Sequence, residues 1–113
     1  MLLRDTIIEG LLDGKAKDVV CLDMRNIDGS ICDYFVIGHG DSATHIEGIN
    51  RAVYKKCVKD LKEKPWKEEG KGNSEWILMD YVNVIAHIFY KDTRSIYKLE
   101  DLWGDAPKKE YQS

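Results

Sequence analysis

The chain has 113 residues, 43% hydrophobic and 33% charged, with two prolines; this fits one globular domain and excludes a disordered or low-complexity chain. Seventeen basic against twenty acidic side chains leave a net charge of -3. That excludes nucleic-acid binding by bulk positive charge and leaves room for an acidic patch that meets a basic partner.

In chain order, Leu3, Ile7 and Leu11 recur every four residues, with Leu2 and Ile8 widening the stripe, so a first helix is predicted. Asp13-Gly14 ends it, the glycine supplying a left-handed cap. Asp18 to Met24 and Tyr34 to Gly38 are short apolar runs, read as two buried strands joined by the turn residues Asn26 to Ser30. Gly38 to Ser42 reads as a loop, with Asp41 or Ser42 capping a long helix on Ile46, Ile49, Val53, Cys57 and Leu61. Its outer face carries Arg51, Lys55, Lys59 and Lys62, and Pro65 stops it. An exposed loop follows, with a short edge strand at Trp66 to Glu69. Trp76 to Asp80 and Val84 to Tyr90 form a hairpin. Asp92 or Thr93 caps a last helix with Ile96, Leu99, Leu102 and Trp103, ended by Gly104. The predicted fold is a single-domain α/β mixed sheet with packed helices, in the order α-β-β-α-β-β-α, over residues 1–104. Residues 105–113 form a polar, frayed C-terminal tail.

Catalytic readings come up short. The Gly38-x-Gly40 loop matches neither a dinucleotide fingerprint nor a P-loop. No acidic-x-acidic triplet is present to hold a metal ion for phosphoryl transfer. His39, His45 and His87 are too scattered to read as a metal site. Cys21, Cys32 and Cys57, odd in number and without a C-x-x-C pair, read as small buried side chains in a reducing compartment. No cofactor is expected. Charge at Arg4 and Asp5 breaks the opening apolar run, and no stretch approaches the roughly 20 apolar residues of a membrane span, so a soluble cytoplasmic protein is expected.

Binding readings do better. Trp76, Tyr81, Tyr90, Tyr97 and Trp103 crowd the last third of the chain among Asp80, Arg94, Glu100 and Asp101, residue types enriched at interface hot spots. Tyr97 and Trp103 can equally pack the last helix on the sheet. Trp76 and Asp80 read as an aromatic anchor and an acidic group at one end of the hairpin.

These segments together resemble the ribosomal silencing factor (RsfS, or Iojap) family. The resemblance lies in Asp18 to Asp23, Asp33 to Ile37, Ser42 to Ile46, Glu69-Gly70, Trp76 to Asp80, Val84 to Phe89 and above all Arg94 to Trp103. It implies a nucleotidyltransferase-like fold without transferase chemistry. It implies a partner, the large ribosomal subunit, bound through ribosomal protein L-fourteen so that the small subunit cannot join and translation falls in starvation. By position, Trp76 and Asp80 are the implied contacts, with Glu69, His87, Tyr97 and Glu100 beside them. Little direct nucleic-acid binding is expected, and a homodimer through strand edges stays open. The alternatives are a large-subunit assembly factor and a small nucleotidyltransferase-like enzyme. Where the family has Gly-Asp in the hairpin turn, this chain has Val82-Asn83, and Val82 should resist a left-handed backbone.

Overall fold

Runs that are apolar on both faces belong inside a sheet, and the computed structural model, which describes residues 1–112, places them there. Strands β1 (Lys17–Asp23), β2 (Tyr34–Gly40) and β5 (Val84–Tyr90) supply the interior of a six-stranded sheet. Outside them lie β3 (Lys67–Glu69), β4 (Trp76–Asp80) and β6 (Lys108–Tyr111), giving the order β3-β4-β5-β2-β1-β6. Only β2 and β5 run parallel; every other pair is antiparallel. A parallel pair needs a long connection. Helix α2 (Ala43–Leu61), together with β3 and β4, forms it.

Helices α1 (Leu2–Asp13) and α2 cover one face of the sheet. Their stripes, Leu3, Ile7 and Leu11 from α1 and Ile46, Ile49, Val53 and Cys57 from α2, are the predicted ones and are fully or almost fully buried. The two helices touch at glycines. A methyl group on Gly10 would lie 2.8 Å from Val53 Cα, and one on Gly14 would lie 2.8 Å from Ile49 Cα. The other face is covered in part, by the short helices α3 (Lys91–Tyr97) and α4 (Leu99–Leu102) and by residues 24–33.

Several boundaries differ from expectation for local reasons. Gly14 has φ -81°, and the left-handed residue after α1 is Lys15, φ 64°. Gly38, His39 and Gly40 continue β2 beside β5, so the expected loop shrinks to Asp41-Ser42. Ser42 does cap α2, its side chain accepting the His45 N–H at 3.1 Å. That helix stops at Leu61, with Lys62 left-handed at φ 56°, before Pro65 is reached. Neither Asp92 nor Thr93 caps the last helix, because its first residue is Lys91. A left-handed Lys98, φ 49°, breaks the expected single helix into α3 and α4. The tail is corrected most. Without it β1 would present a row of unpaired backbone groups at the sheet edge; Lys108–Tyr111 pair with Leu22 to Val19 and satisfy them. Ser113, the last residue of that tail, lies outside the described residues.

The glycine contact between helices gives a paired test. Gly10→Ala must push Val53 backbone away and should cost about 1–2 kcal/mol of overpacking net of helix propensity. Gly48→Ala, on the open outer side of α2, should stabilise by about 0.5–1 kcal/mol. Urea unfolding of both variants measures the two signs.

Candidate functional site

Alternation along β4 sends Ile77 and Met79 beneath the helices and Trp76, Leu78 and Asp80 to the opposite face. Register adds neighbours on that second face. Lys67 of β3 lies opposite Asp80, Glu69 opposite Leu78, Trp76 opposite Phe89, and Leu78 opposite His87. Helix α3 reaches this face only at its Trp76 end. Trp76 and Leu78 are therefore left half-buried on a fully formed sheet.

Trp76 is held rather than loose. Its Nε1–H donates to His87 Nδ1 at 3.1 Å. Its ring stacks on Phe89, centroids 4.8 Å apart and 29° between planes, and Tyr97 closes from α3 at 4.8 Å. His87 is 4% exposed, with Phe35 edge-on at 4.8 Å, and Trp103 packs on Phe35 in turn. Because Nδ1 accepts the indole N–H, the ring proton sits on Nε2, which has no hydrogen-bond partner among the described residues. Burial pulls the His87 pKa down from 6.5 to about 4, so the ring is neutral and a fixed acceptor at neutral pH.

The α3–α4 cover is fastened by Arg94. Its guanidinium donates to both Glu100 carboxylate oxygens, at 3.3 and 3.2 Å, and Nη1 donates to His39 Nδ1 at 2.8 Å and to the Lys17 carbonyl at 3.3 Å. Burial first, and then the Arg94 charge, lower the His39 pKa and keep that ring an acceptor. At the other end of β4, Asp80 Oδ1 accepts the Val82 N–H at 2.7 Å. Val82 adopts φ 76°, and Asn83 N–H bonds to the Tyr81 carbonyl at 3.0 Å, a γ-turn. The resistance expected of Val82 is overcome by these bonds, and its side chain stands exposed at the tip.

Four of the six residues singled out from sequence share this face in exposed or half-buried positions: Trp76, Asp80, Glu69 and Tyr97. Trp76 and Asp80 stand at opposite ends of β4, about 13 Å apart at ~3.3 Å per residue; the expected single cluster is a row. Glu69 pairs with Lys67 at 3.0 Å at the sheet edge. His87 and Glu100 are engaged within the fold. His87 lies under the Trp76 ring and positions it, and the Glu100 carboxylate is taken up by Arg94, where it anchors α4. Sequence reasoning missed Leu78, which the β4 alternation could have shown. It also missed the Arg94–His39 bond, which joins residues 55 apart and left no local signal. The thiols of Cys21 and Cys32 are pushed up to about 11 by burial, and Cys32 is half-buried where full burial was expected. Among the described residues no group of His, Cys, Asp or Glu converges to hold a metal ion, and no helix is long and apolar enough to cross a membrane.

A family model described as "Ribosomal silencing factor during starvation" matches residues 3–113. The Bacillus subtilis ribosomal silencing factor RsfS is 41% identical over 96 residues, covering 84% of this chain and 79% of that protein. A mouse protein named mitochondrial assembly of ribosomal large subunit protein 1 is 31% identical over 101 residues, 88% of this chain and 44% of that one. A crystal structure from Bacillus halodurans superposes with a TM-score of 0.80 at 34% identity, covering 96% and 97% of the two chains.

The buried His87 makes stability depend on pH. Folding favours the neutral ring, so below its usual 6.5 the unfolded chain takes up the proton first. The contribution is full above about pH 6.5 and drains as pH falls toward 4, by up to about 3 kcal/mol. Urea midpoints measured across that window should fall more steeply for the native chain than for His87→Gln.

Proposed function

The chain belongs to the ribosomal silencing factor family, and from that membership we propose that it binds the large ribosomal subunit through ribosomal protein L-fourteen and keeps the small subunit from joining. Membership makes it a regulator of translation and not an enzyme. The observation that carries the proposal is the Trp76 ring, half-buried on an otherwise complete sheet and locked by His87, Phe89 and Tyr97. A rigid aromatic anchor loses little entropy on docking. Further along the same face lie Asp80, at the far end of β4, and Glu69, paired with Lys67, and ribosomal proteins are basic, so the surplus of carboxylates on this face suits that partner. In this reading Trp76, Leu78, Tyr97 and Asp80 make contact, while His87 and Glu100 hold the contacts in place. The site of action is the cytoplasm, where ribosomes engage messages.

Silencing follows from occupancy alone. A folded body of 13.0 kDa seated where the small subunit must meet the large one excludes it sterically. Such a ligand shifts the joining equilibrium by mass action, in proportion to its concentration over its dissociation constant. The mouse relative's name favours a second reading, escort of the large subunit during assembly, on the same surface at an earlier time.

Two experiments test the proposal. Trp76→Ala should keep the native circular dichroism and lose roughly 30-fold or more in affinity for large subunits, the scale of a hot-spot truncation near 2 kcal/mol. Asp80→Lys should weaken binding as well. In an order-of-addition assay the protein should inhibit when mixed with separated subunits, one copy per large subunit, and spare ribosomes already joined. Equal inhibition in both arms would contradict the steric mechanism.

A further inference from the structure

The net charge of -3 hides a segregated surface. On α2 the core stripe is Ile46, Ile49, Val53 and Cys57, the side opposite carries Arg51, Lys55 and Lys59, and Lys62 follows just past the helix end. All four are exposed, and among the described residues none forms an ion pair, whereas neighbouring Lys56 reaches Asp60 at 3.3 Å and Lys71 reaches Glu68 at 3.9 Å. Spacings of four residues set the first three cations about 6 Å apart along the helix axis. Like charges at that spacing repel and weaken a helix, so the row works against the element that carries it. Lys64 and Trp66 come next, with exposed Glu63 between Lys62 and Lys64 and Pro65 before Trp66. Trp66 is 71% exposed, the most exposed aromatic ring among the described residues, with Lys67 Nζ 5.8 Å from its centroid.

A linear row of cations that ends at an open indole has a chemical reading. Lysine is depleted at the centre of protein–protein interfaces, which want apolar anchors flanked by few charges. A membrane-surface helix would need an apolar outer stripe, and the apolar stripe of α2 is in the core. Single-stranded nucleic acid is bound by a cationic track that follows phosphates and an aromatic ring on which a base stacks. We propose that the outer face of α2, continued by Lys64 and Trp66, is a track for a single-stranded stretch of RNA, its phosphates on the cations and one base on Trp66. The assignment to ribosomal RNA rests on the ribosome reading above; the track itself does not. It lies on the side of the sheet opposite Trp76, so protein and RNA contacts can be made together.

The test uses the full chain and a fluorescently labelled short oligouridine, with anisotropy followed over a range of salt. Four phosphate contacts at about -0.7 each give a slope near -3 for log affinity against log salt. The variant with Arg51→Gln, Lys55→Gln, Lys59→Gln and Lys62→Gln should flatten that slope and lose binding. Trp66→Ala should lose about tenfold with the slope kept, as expected when one stacked base is removed. Trp76→Ala should bind the RNA as the native chain does while losing large subunits, which keeps the two surfaces distinguishable. RNA binding without any association with large subunits would remove the ribosomal assignment and leave the track standing. Absence of binding at low salt, an unchanged slope in the fourfold variant, or equal affinity for polyglutamate would overturn the proposal.

Discussion

The hydrogen bond from the Trp76 indole to His87, 3.1 Å long, fixes an aromatic ring where a sheet of this size would otherwise leave it to solvent. It works because His87 cannot gain a proton cheaply. Burial under Trp76 and against Phe35 and Phe89 keeps the imidazole neutral, and a neutral imidazole with its proton on Nε2 always offers Nδ1. The anchor and the acceptor thus hold each other, since the ring that His87 orients is also the lid that keeps His87 dry. Tyr97 completes the arrangement only while α3 stays down, and the Arg94 contacts to Glu100, His39 and Lys17 keep it down.

Behind that bond lies a shortage of cover. A sheet with apolar residues on both faces needs helices on both, and this chain has two full helices, packed side by side on one face through Gly10 and Gly14. The second face receives α3, α4 and the segment 24–33, which together reach across β1, β2 and part of β5. What they leave open, Leu78 and Asp80 on β4 with Trp76 covered only on its Tyr97 side and Lys67 and Glu69 beside them, is an apolar strip edged by charge. Burying such a strip against a partner is the remaining way to satisfy it. The two sheet edges are handled differently: Lys67 and Glu69 on β3, and Lys108 and Lys109 on β6, put charge where another strand might add.

How much of this was legible in the sequence depended on how local the cause was. The stripes of α1 and α2, the strands at Asp18 and Tyr34, and the hairpin from Trp76 follow from periodicity, which acts within a few residues, and the structure has them, save that Leu2, expected to widen the α1 stripe, is exposed at the helix start. The fate of 105–113 did not, because a polar Lys-Lys-Glu-Tyr segment becomes a strand only when β1 offers it an edge. Val82 shows a similar limit. Its positive φ is forced by Asp80 on one side and the Tyr81 carbonyl on the other, two bonds that outweigh a β-branched residue's preference. For the site, residue type pointed to Trp76, Asp80 and Tyr97, and the resemblance added Glu69, His87 and Glu100. Neither source told that the Trp76 indole is what His87 bonds or that Arg94 takes up Glu100, since an identity does not tell whether a polar group faces a partner or a neighbour in the fold.

The central claim, that Trp76 is the anchor for ribosomal protein L-fourteen, is open to direct observation because the three tryptophans occupy three different settings. Trp66 is exposed at the edge beside β3, Trp76 stands on the open face, and Trp103 packs on Phe35. With 5-fluorotryptophan incorporated and the three signals assigned by single Trp→Phe variants, fluorine NMR during titration with purified ribosomal protein L-fourteen reads all three at once. The account predicts that the Trp76 resonance shifts and broadens with saturation at one equivalent, while the Trp66 resonance stays in place. A complex that forms with the Trp76 resonance unmoved would contradict it.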